Sequence, residues 1–434
     1  MSENLKQEIT LLGGVGQLST TLLGTGLFMI PAIAANLAGT WSLWAWVILF
    51  IAICPIALTF AILGQRYPNA GGTAYFVRQA FNSKTERSVA WLFLSVLPVG
   101  LPAAITLAGG FGHAILFDNQ WMPNLLNQGI GFIDGYYLSE ILTIVLILAL
   151  TLLGSKSSSH FQTLIAISIF ALVAILFWQS DIGIDDIPMP SLNASAIYPI
   201  GTALAVMFWC FVGIEAFTHM GEEFKNPQRD FPIAIILGCF VAGFIYWACS
   251  VVILKFHAFE PNILAHSSIP WLSEQLLGNK LATVITLIGY FACFASINLY
   301  TQSMIRLVWS QARDYQPTSS LTRLSKRGVP TKATYAVAVV LFLSVTIGHI
   351  TNLDLETLVK LANSVFVLLY LLAMLSAYRL LTGWSKYLAG FSTLLCSIVF
   401  LCLGWSMLYA ICIFTLLMMP WKTWFNRQYK TPSL

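Results

Sequence analysis

The sequence predicts an all-α polytopic membrane protein, and three observations carry that prediction. Of its 434 residues, 58% are hydrophobic and only 9% charged, against roughly a quarter charged in soluble domains. The apolar residues fall in long charge-free stretches. The few Lys and Arg residues gather between alternate stretches. A mean hydropathy of +0.78 over the whole length excludes a soluble enzyme on one anchor. It equally excludes a disordered chain and a secreted disulfide scaffold. The net charge of +4 is too thinly spread for a nucleic-acid surface.

The stretches give the spans in order. One helix crosses about 30 Å of hydrocarbon with roughly 20 residues. No charge separates Glu8 from Arg66, a gap of 57 residues, so this gap holds spans 1 and 2 with a turn at Asn36–Thr40. Spans 3 to 10 follow in the gaps Arg87–Asp118, Glu140–Lys156, Lys156–Asp181, Asp186–Glu215, Asp230–Lys255, Lys280–Arg306, Lys332–Asp354 and Lys360–Arg379. The gap Lys386–Lys422 holds spans 11 and 12, about 387–420, breaking near Gly404. That makes twelve helices in a single transmembrane domain over 1–434. Continuous apolar runs are read as helices because lipid forces backbone hydrogen bonds to close within each segment. The alternating ten-residue strands of a barrel are absent from the sequence.

Orientation follows from the basic residues. With the N-terminus inside, nineteen of the 22 Lys and Arg residues fall in cytoplasmic segments, and only Lys255, Lys280 and Lys360 fall outside. Both termini are then cytoplasmic, which agrees with an even number of spans. The polar start, Met1 to Glu8, carries no cleavable signal pattern. All eight cysteines lie in predicted helices without a CxxC pair, so disulfides and metal ligation are not indicated. Asn193-Ala194-Ser195 fits a glycosylation sequon and is read as chance.

Spans 1–5 (about 9–180) and 6–10 (about 198–381) make two units of five. Each opens with a glycine-interrupted helix: Gly24-Thr25-Gly26 and Pro31 in span 1, Phe211-Val212-Gly213-Ile214-Glu215 in span 6. Five is odd, so the second unit enters the membrane from the opposite face. Matched breaks in inverted repeats point to a binding site at the bilayer midplane. Taken alone, Gly24 and Gly26 would equally fit close helix packing. Gly24-Thr25-Gly26 is not a nucleotide motif, since no strand precedes it and the third glycine of GxGxxG is missing.

Gly24-Thr25-Gly26-Leu27-Phe28-Met29-Ile30-Pro31 resembles the first-helix motif of the amino acid–polyamine–organocation (APC) superfamily. Leu63–Tyr75, with Pro68, Gly71 and Gly72, resembles its loop after helix 2. Phe208–Glu215 followed by Glu223–Pro232 resembles its helix 6 and the loop beyond. More narrowly, Trp91–Val96, Pro98–Pro102 and Arg306–Ala312 resemble the bacterial branch that exports L-methionine and branched-chain amino acids. The resemblance covers nearly the whole chain. It implies a LeuT-like five-plus-five inverted repeat with two extra helices, in the bacterial inner membrane. It also implies export of neutral amino acids by antiport with protons, with no cofactor and no enzymatic activity. The alternative within the superfamily is a general neutral amino acid importer or exchanger.

The residues assign roles within that frame. An unwound span 1 frees the amides of Thr25, Gly26 and Leu27 at a positive helix end, suited to an α-carboxylate. Gly26 would let the carboxylate approach the backbone closely. Carbonyls of Ser19 to Leu23, and of Phe208, Trp209 and Cys210, suit an α-ammonium. The side-chain pocket draws on Val96, Leu97, Phe208, Trp209, Phe291, Phe294, Ala295 and Phe366, with Ser95, Ser296 and Asn298 as polar exceptions. It favours Met, Leu, Ile and Val over charged side chains. Any single Phe could instead face lipid or core. Glu215 follows the span 6 break directly, and an ionisable group at that depth is a candidate proton carrier. The other reading of Glu215 is a structural tie. His113 and His219 are the other ionisable candidates, His113 read as hydrogen-bonded inside and His219 as a surface residue near the cytoplasmic end, and Lys360 is placed to snorkel to the outer interface. No HExxH, GxSxG or paired intramembrane carboxylates suggest an enzyme.

Overall fold

A computed structural model describes residues 9–67, 72–118, 133–153, 159–183, 187, 189–218, 224–260, 268–315, 318–325 and 329–419. Several residues singled out in the sequence lie outside these: Pro68, Gly71, Lys156, His219 and Glu223. The described residues are almost entirely helical. An isolated parallel bridge joins Ile9 and Phe224.

The helices follow the predicted order. They are α1 (Leu11–Leu23), α2 (Ile30–Ala38), α3 (Ser42–Arg66), α4 (Gly72–Ala80), α5 (Ser83–Leu94), α6 (Gly100–His113), α7 (Gly135–Leu153) and α8 (Ser159–Gln179). Then come α9 (Ile197–Met207), α10 (Ile214–Phe217), α11 (Pro227–Lys255), α12 (Ser268–Leu277), α13 (Asn279–Tyr315), α14 (Thr331–Thr351), α15 (Leu355–Leu380), α16 (Trp384–Cys402) and α17 (Met407–Met418). Among the described residues, nine helical stretches are long and apolar enough to cross a membrane, and three shorter apolar helices accompany them. The protein is a multi-pass membrane protein.

Local chemistry sets the ends of these helices. Thr10 caps α1, its hydroxyl oxygen accepting the Gly13 N–H at 3.2 Å. Asn82 caps α5 and Asp354 caps α15 in the same way, at 2.9 and 3.0 Å. The predicted turn at Asn36–Thr40 forms where Gly39 takes φ +54°. The predicted break near Gly404 forms between α16 and α17, with Gly404 at φ +57°.

Hydrogen bonds sort the connections into two faces. On one, the Lys225 amide donates to the Ile9 carbonyl, Gln65 and Gln228 pair, Lys84 donates to the Met418 carbonyl and Arg379 to that of Ala80. On the other, Trp41 and Trp44 donate to the carbonyls of Ser191 and Pro190, Lys255 to that of Asp181, and Asn36 to that of Phe259. The first face holds segments counted as basic in the sequence; the second holds Lys255. Lys360 pairs with Glu356 one turn away, near the start of α15.

The core lies where α1 packs on α8 and α11, α3 on α11 and α16, and α6 on α7 and α13. Outer surfaces stay apolar: Phe342, Leu343 and Ile347 on α14 and Leu394 and Ile398 on α16 are exposed. Such an apolar outer surface suits a lipid environment. Trp178, Tyr198, Tyr387 and Trp405, at or beside helix ends, are the most exposed aromatics, as expected of rings at a membrane–water boundary.

Candidate functional site

Three helices are interrupted at mid-chain, and the interruptions converge. Between α1 and α2 the chain turns through residues 24–29. Between α9 and α10 it passes through a short 3-10 turn, Phe208–Phe211, then extended Val212 and Gly213 at φ +131°. Both breaks fall where the sequence placed them. A further break, the second in chain order, was not foreseen. The stretch read as one span between Arg87 and Asp118 divides into α5 and α6 across residues 95–99. Pro98 has no amide to donate to the turn before it, and the bonds through this region tighten to i→i−3, the Leu97 amide to the Leu94 carbonyl and the Val99 amide to the Val96 carbonyl, each at 3.1 Å.

Where the three breaks meet there is a small cavity, about 30 Å³. Thr21, Leu22 and Thr25 line it from the first break, and Val96, Gly100, Leu101 and Ala104 from the second. Trp209 and Val212 line it from the third, with Ser296, Ile297 and Tyr300 from α13 and Phe366 from α15. No lining side chain is charged. The indole N–H of Trp209 donates to the Thr25 hydroxyl at 3.1 Å, tying the first and third breaks together. The ring of Phe366 meets Trp209, Tyr300 and Phe93 edge-on, with centroids 6.1–6.5 Å apart.

The backbone around the first break is partly spent. The Leu27 amide donates to the Leu23 carbonyl at 3.1 Å, so Leu27 offers no free donor, and its side chain is fully buried. Among the described residues, the amides of Thr25, Gly26 and Phe28 have no backbone acceptor. Of the last-turn carbonyls of α1, Thr20 accepts from Gly24 and Ser296, Leu22 from the Tyr246 hydroxyl at 2.7 Å, and Leu23 from Leu27. In the third break, Trp209 accepts from the Val212 amide and Phe211 from the Tyr370 hydroxyl.

Glu215 sits just past the third break, 2% exposed. Its Oε2 accepts the Gly213 amide at 2.9 Å and competes with the Phe211 carbonyl for the one hydroxyl proton of Tyr370, 2.5 Å away, and its Oε1 accepts the Tyr300 hydroxyl at 3.0 Å. Among the described residues, no cation pairs with it. Tyr300 therefore reaches the cavity on one side and Glu215 on the other. Glu215 also borders a second small cavity with Thr73, Ala74, Val89, Ala90, Phe93, Leu307 and Leu369, toward the face that carries α4.

Several residues named from sequence lie elsewhere. Phe208 is fully buried against Tyr370, not against the cavity. The Cys210 thiol faces Gly26 and Tyr246. Phe294 stacks on Tyr290. Phe291 is half exposed on the outside of α13. Gly26 does make a close approach, but to a side chain: a Cβ there would stand 2.2 Å from the Tyr246 hydroxyl oxygen. Gly24 likewise admits α13, a Cβ meeting the Ser296 hydroxyl at 1.9 Å. Thr25, Trp209, Val96, Ser296 and Phe366 do line the cavity. Tyr300 and Tyr370 escaped the sequence reading, although each lies one helical turn beyond a named candidate, Ser296 and Phe366. His113 is stacked between Phe117 and Tyr136, centroids 5.1 and 4.3 Å away. Among the described residues, no group of His, Cys, Asp and Glu is arranged to hold a metal ion.

Comparison with known proteins agrees with this architecture. The amino acid permease family model matches residues 15–425. The L-methionine/branched-chain amino acid exporter YjeH of Escherichia coli K12 is 45% identical over 407 residues, 94% of each chain. An uncharacterized amino acid permease of Bacillus subtilis, YecA, is 25% identical over 94% of each chain. A cadaverine/lysine antiporter of Escherichia coli is 23% identical over 77% of this chain and 73% of its own. On this match and this arrangement of helices, the chain belongs to the amino acid permease family.

Proposed function

We propose that this protein is a secondary active transporter that exports L-methionine, leucine, isoleucine and valine across the bacterial inner membrane, by alternating access coupled to proton antiport. The observation that carries this reading is the uncharged cavity at the meeting point of three broken helices. The 45% identity to an exporter of those amino acids supports it. The proposed topology is twelve spans with both termini cytoplasmic. Residues 9–180 and 198–381 form inverted repeats, and α16 and α17 lie outside them.

In this reading the amides of Thr25, Gly26 and Phe28 take the substrate carboxylate, and the open Thr21 carbonyl helps hold the ammonium. Each charge-assisted hydrogen bond contributes about 1.5–3 kcal/mol. The apolar side chain then lies against Val96, Leu101, Ile297 and Phe366. Removing or adding one methylene there is worth only about 1–3 kcal/mol, so the pocket takes several neutral amino acids. The cavity holds little more than a water or two. Substrate entry therefore requires the broken segments to move, which is the function of hinges at glycine and proline. Glu215 carries the proton. Its carboxyl is buried without a cation, so charging it must be compensated elsewhere in the cycle.

Counterflow in sealed proteoliposomes tests the carrier mechanism. Labelled methionine should accumulate transiently against unlabelled methionine trapped inside, and an imposed pH gradient should drive net flux. Flux without counterflow would indicate a channel. Counterflow with no response to a pH gradient would indicate an exchanger. In cells fed methionine-containing peptides, loss of the protein should raise intracellular methionine; unchanged pools would reject export.

A further inference from the structure

A second buried carboxyl lies far from the cavity residues in sequence, on α7. Glu140 is 4% exposed. Its Oε1 accepts the Thr106 hydroxyl of α6 at 2.7 Å, and its Oε2 has no protein partner. The fit is close: a Cβ at Gly109 would stand 2.6 Å from the Glu140 Cγ, so α6 carries a glycine where the carboxyl arm crosses it. Beside it, the Ser139 hydroxyl is buried and also without a partner, next to Gly112 of α6 and Tyr290 of α13. Thr143, one turn further along α7, shares a hydrogen bond with the Tyr290 hydroxyl at 3.3 Å. A polar pocket is thus enclosed by α6, α7 and α13.

The surroundings decide the charge of this carboxyl. Thr106 of α6 donates to it, and His349 of α14 and Asp134 lie near enough to act on its charge. Tyr290 of α13 stands beside Ser139, and His113, at the end of α6, stacks on Tyr136. Its own helix contributes Tyr136 and Tyr137, with Asp134 just before it. His349 is engaged by Asp134 at 3.8 Å and lies against the ring of Tyr137. No lysine or arginine pairs with Glu140 among the described residues. An ionised carboxylate with one bare oxygen in such a place is very costly, whereas a carboxylic acid is not. Glu140 sits about one and a half turns into α7 from the face opposite α4, the proposed outer face. Asp134, His349 and the Tyr137–Thr346 pair (2.9 Å) stand between it and that face.

From this geometry we infer that Glu140 is a second proton-binding site of the transporter, on the outer half, opposite Glu215 on the inner half. The inference rests on the proton-coupled reading above. The proton enters from the outer solution past Asp134 and His349 and forms an O–H bond at Oε2. The same two helices that hold Glu140 continue to the cavity: α6 runs from Thr106 to Ala104 and Leu101, and α13 from Tyr290 to Ser296 and Tyr300. Protonation of Glu140 thereby changes packing of helices that line the substrate.

The test uses purified full-length protein. Infrared difference spectra between wild type and Glu140→Gln should contain the carbonyl band of a neutral carboxyl at pH 7, and Thr106→Val should shift that band. In proteoliposomes, Glu140→Gln should keep methionine counterflow and lose the response of net flux to a pH gradient. Absence of the band means Glu140 is ionised and overturns the inference. A band with an undiminished gradient response in Glu140→Gln makes it a permanently neutral tie and also overturns it. The same result together with loss of response in Glu215→Gln leaves the coupling reading standing alone. A wild type that ignores the gradient rejects both.

Discussion

Replacing Gly26 with alanine separates two reasons for a glycine in the first break. The sequence suggests room for a substrate carboxylate; the structure supplies Tyr246 instead. A methyl at Gly26 stands 2.2 Å from the Tyr246 hydroxyl oxygen, far inside contact distance. The Tyr246 ring is fully buried and stacked on Trp46 with centroids 4.9 Å apart, so it has little room to retreat. Its hydroxyl must release the Leu22 carbonyl, a 2.7 Å bond. Leaving that buried pair unmade costs about 1–3 kcal/mol, and crowding adds about 1–3 kcal/mol. Tyr246→Phe alone should cost about 1–2 kcal/mol, through the orphaned carbonyl. With both changes the nearest atoms to the new methyl are the ring Cζ at 3.2 Å and the Cys210 sulfur at 3.3 Å, so most of the crowding disappears. The double variant should therefore be more stable than the sum of the single losses by about 2–6 kcal/mol, the doubly counted hydrogen bond plus the relieved crowding. Denaturant unfolding of the four proteins in one detergent measures this, with methionine binding followed in parallel. Strictly additive stabilities, with binding lost in both variants that carry Gly26→Ala, would refute the packing account and make room for the substrate carboxylate the reason for the glycine.

Other outcomes follow from the same site. Glu215→Gln should preserve methionine binding and counterflow but flatten the response of net flux to an imposed pH gradient, measured per folded protein; an intact response would move coupling elsewhere. Trp209→Phe removes the indole donor to Thr25 while keeping an aromatic ring, and should weaken methionine binding by roughly fivefold, about 1 kcal/mol; unchanged affinity would show that the Trp209–Thr25 bond does not hold the breaks in register for binding. Competition by leucine, isoleucine and valine against labelled methionine should span no more than roughly 200-fold, while lysine and glutamate should not compete. Lysine competing as well as leucine would contradict an uncharged pocket.

The spans and the two glycine breaks were legible because lipid imposes a strong, local rule. Every buried charge is costly, so Arg66, Glu215 or Lys255 announce an end or a function wherever they stand. Gly213 at φ +131° is legible for a similar reason, since few other residues occupy that backbone. The α5–α6 break was less so. Pro98 and Pro102 were in plain view, but prolines are common in membrane helices and often only kink them. Side-chain direction was hardest to read. Phe208, Trp209 and Cys210 are consecutive, yet within a 3-10 turn they point to Tyr370, to the cavity and to Tyr246 respectively. Only tertiary packing decides which one substrate would meet. Glu140 was visible in the sequence as a gap boundary, but a carboxyl near a span end is usually solvated; its enclosure by Thr106 and Gly109 depends on α6 crossing it.

Tyr300 bears most directly on how substrate and proton would be linked. One hydroxyl lies on the cavity wall and donates to Glu215, and a hydroxyl has only one proton to give. On the proposed mechanism, a protonated Glu215 no longer needs both tyrosine donors, because its own O–H becomes a donor. Tyr300 is then free to turn toward the cavity, where it can meet an arriving carboxylate or leave its edge contact with Phe366. Deprotonation draws the hydroxyl back to Glu215 and closes the wall again. The exchange needs no charged side chain in the pocket. A broken helix bearing an acid directly after its break, with a tyrosine spanning acid and pocket, is sufficient to make the two ligands sensitive to each other.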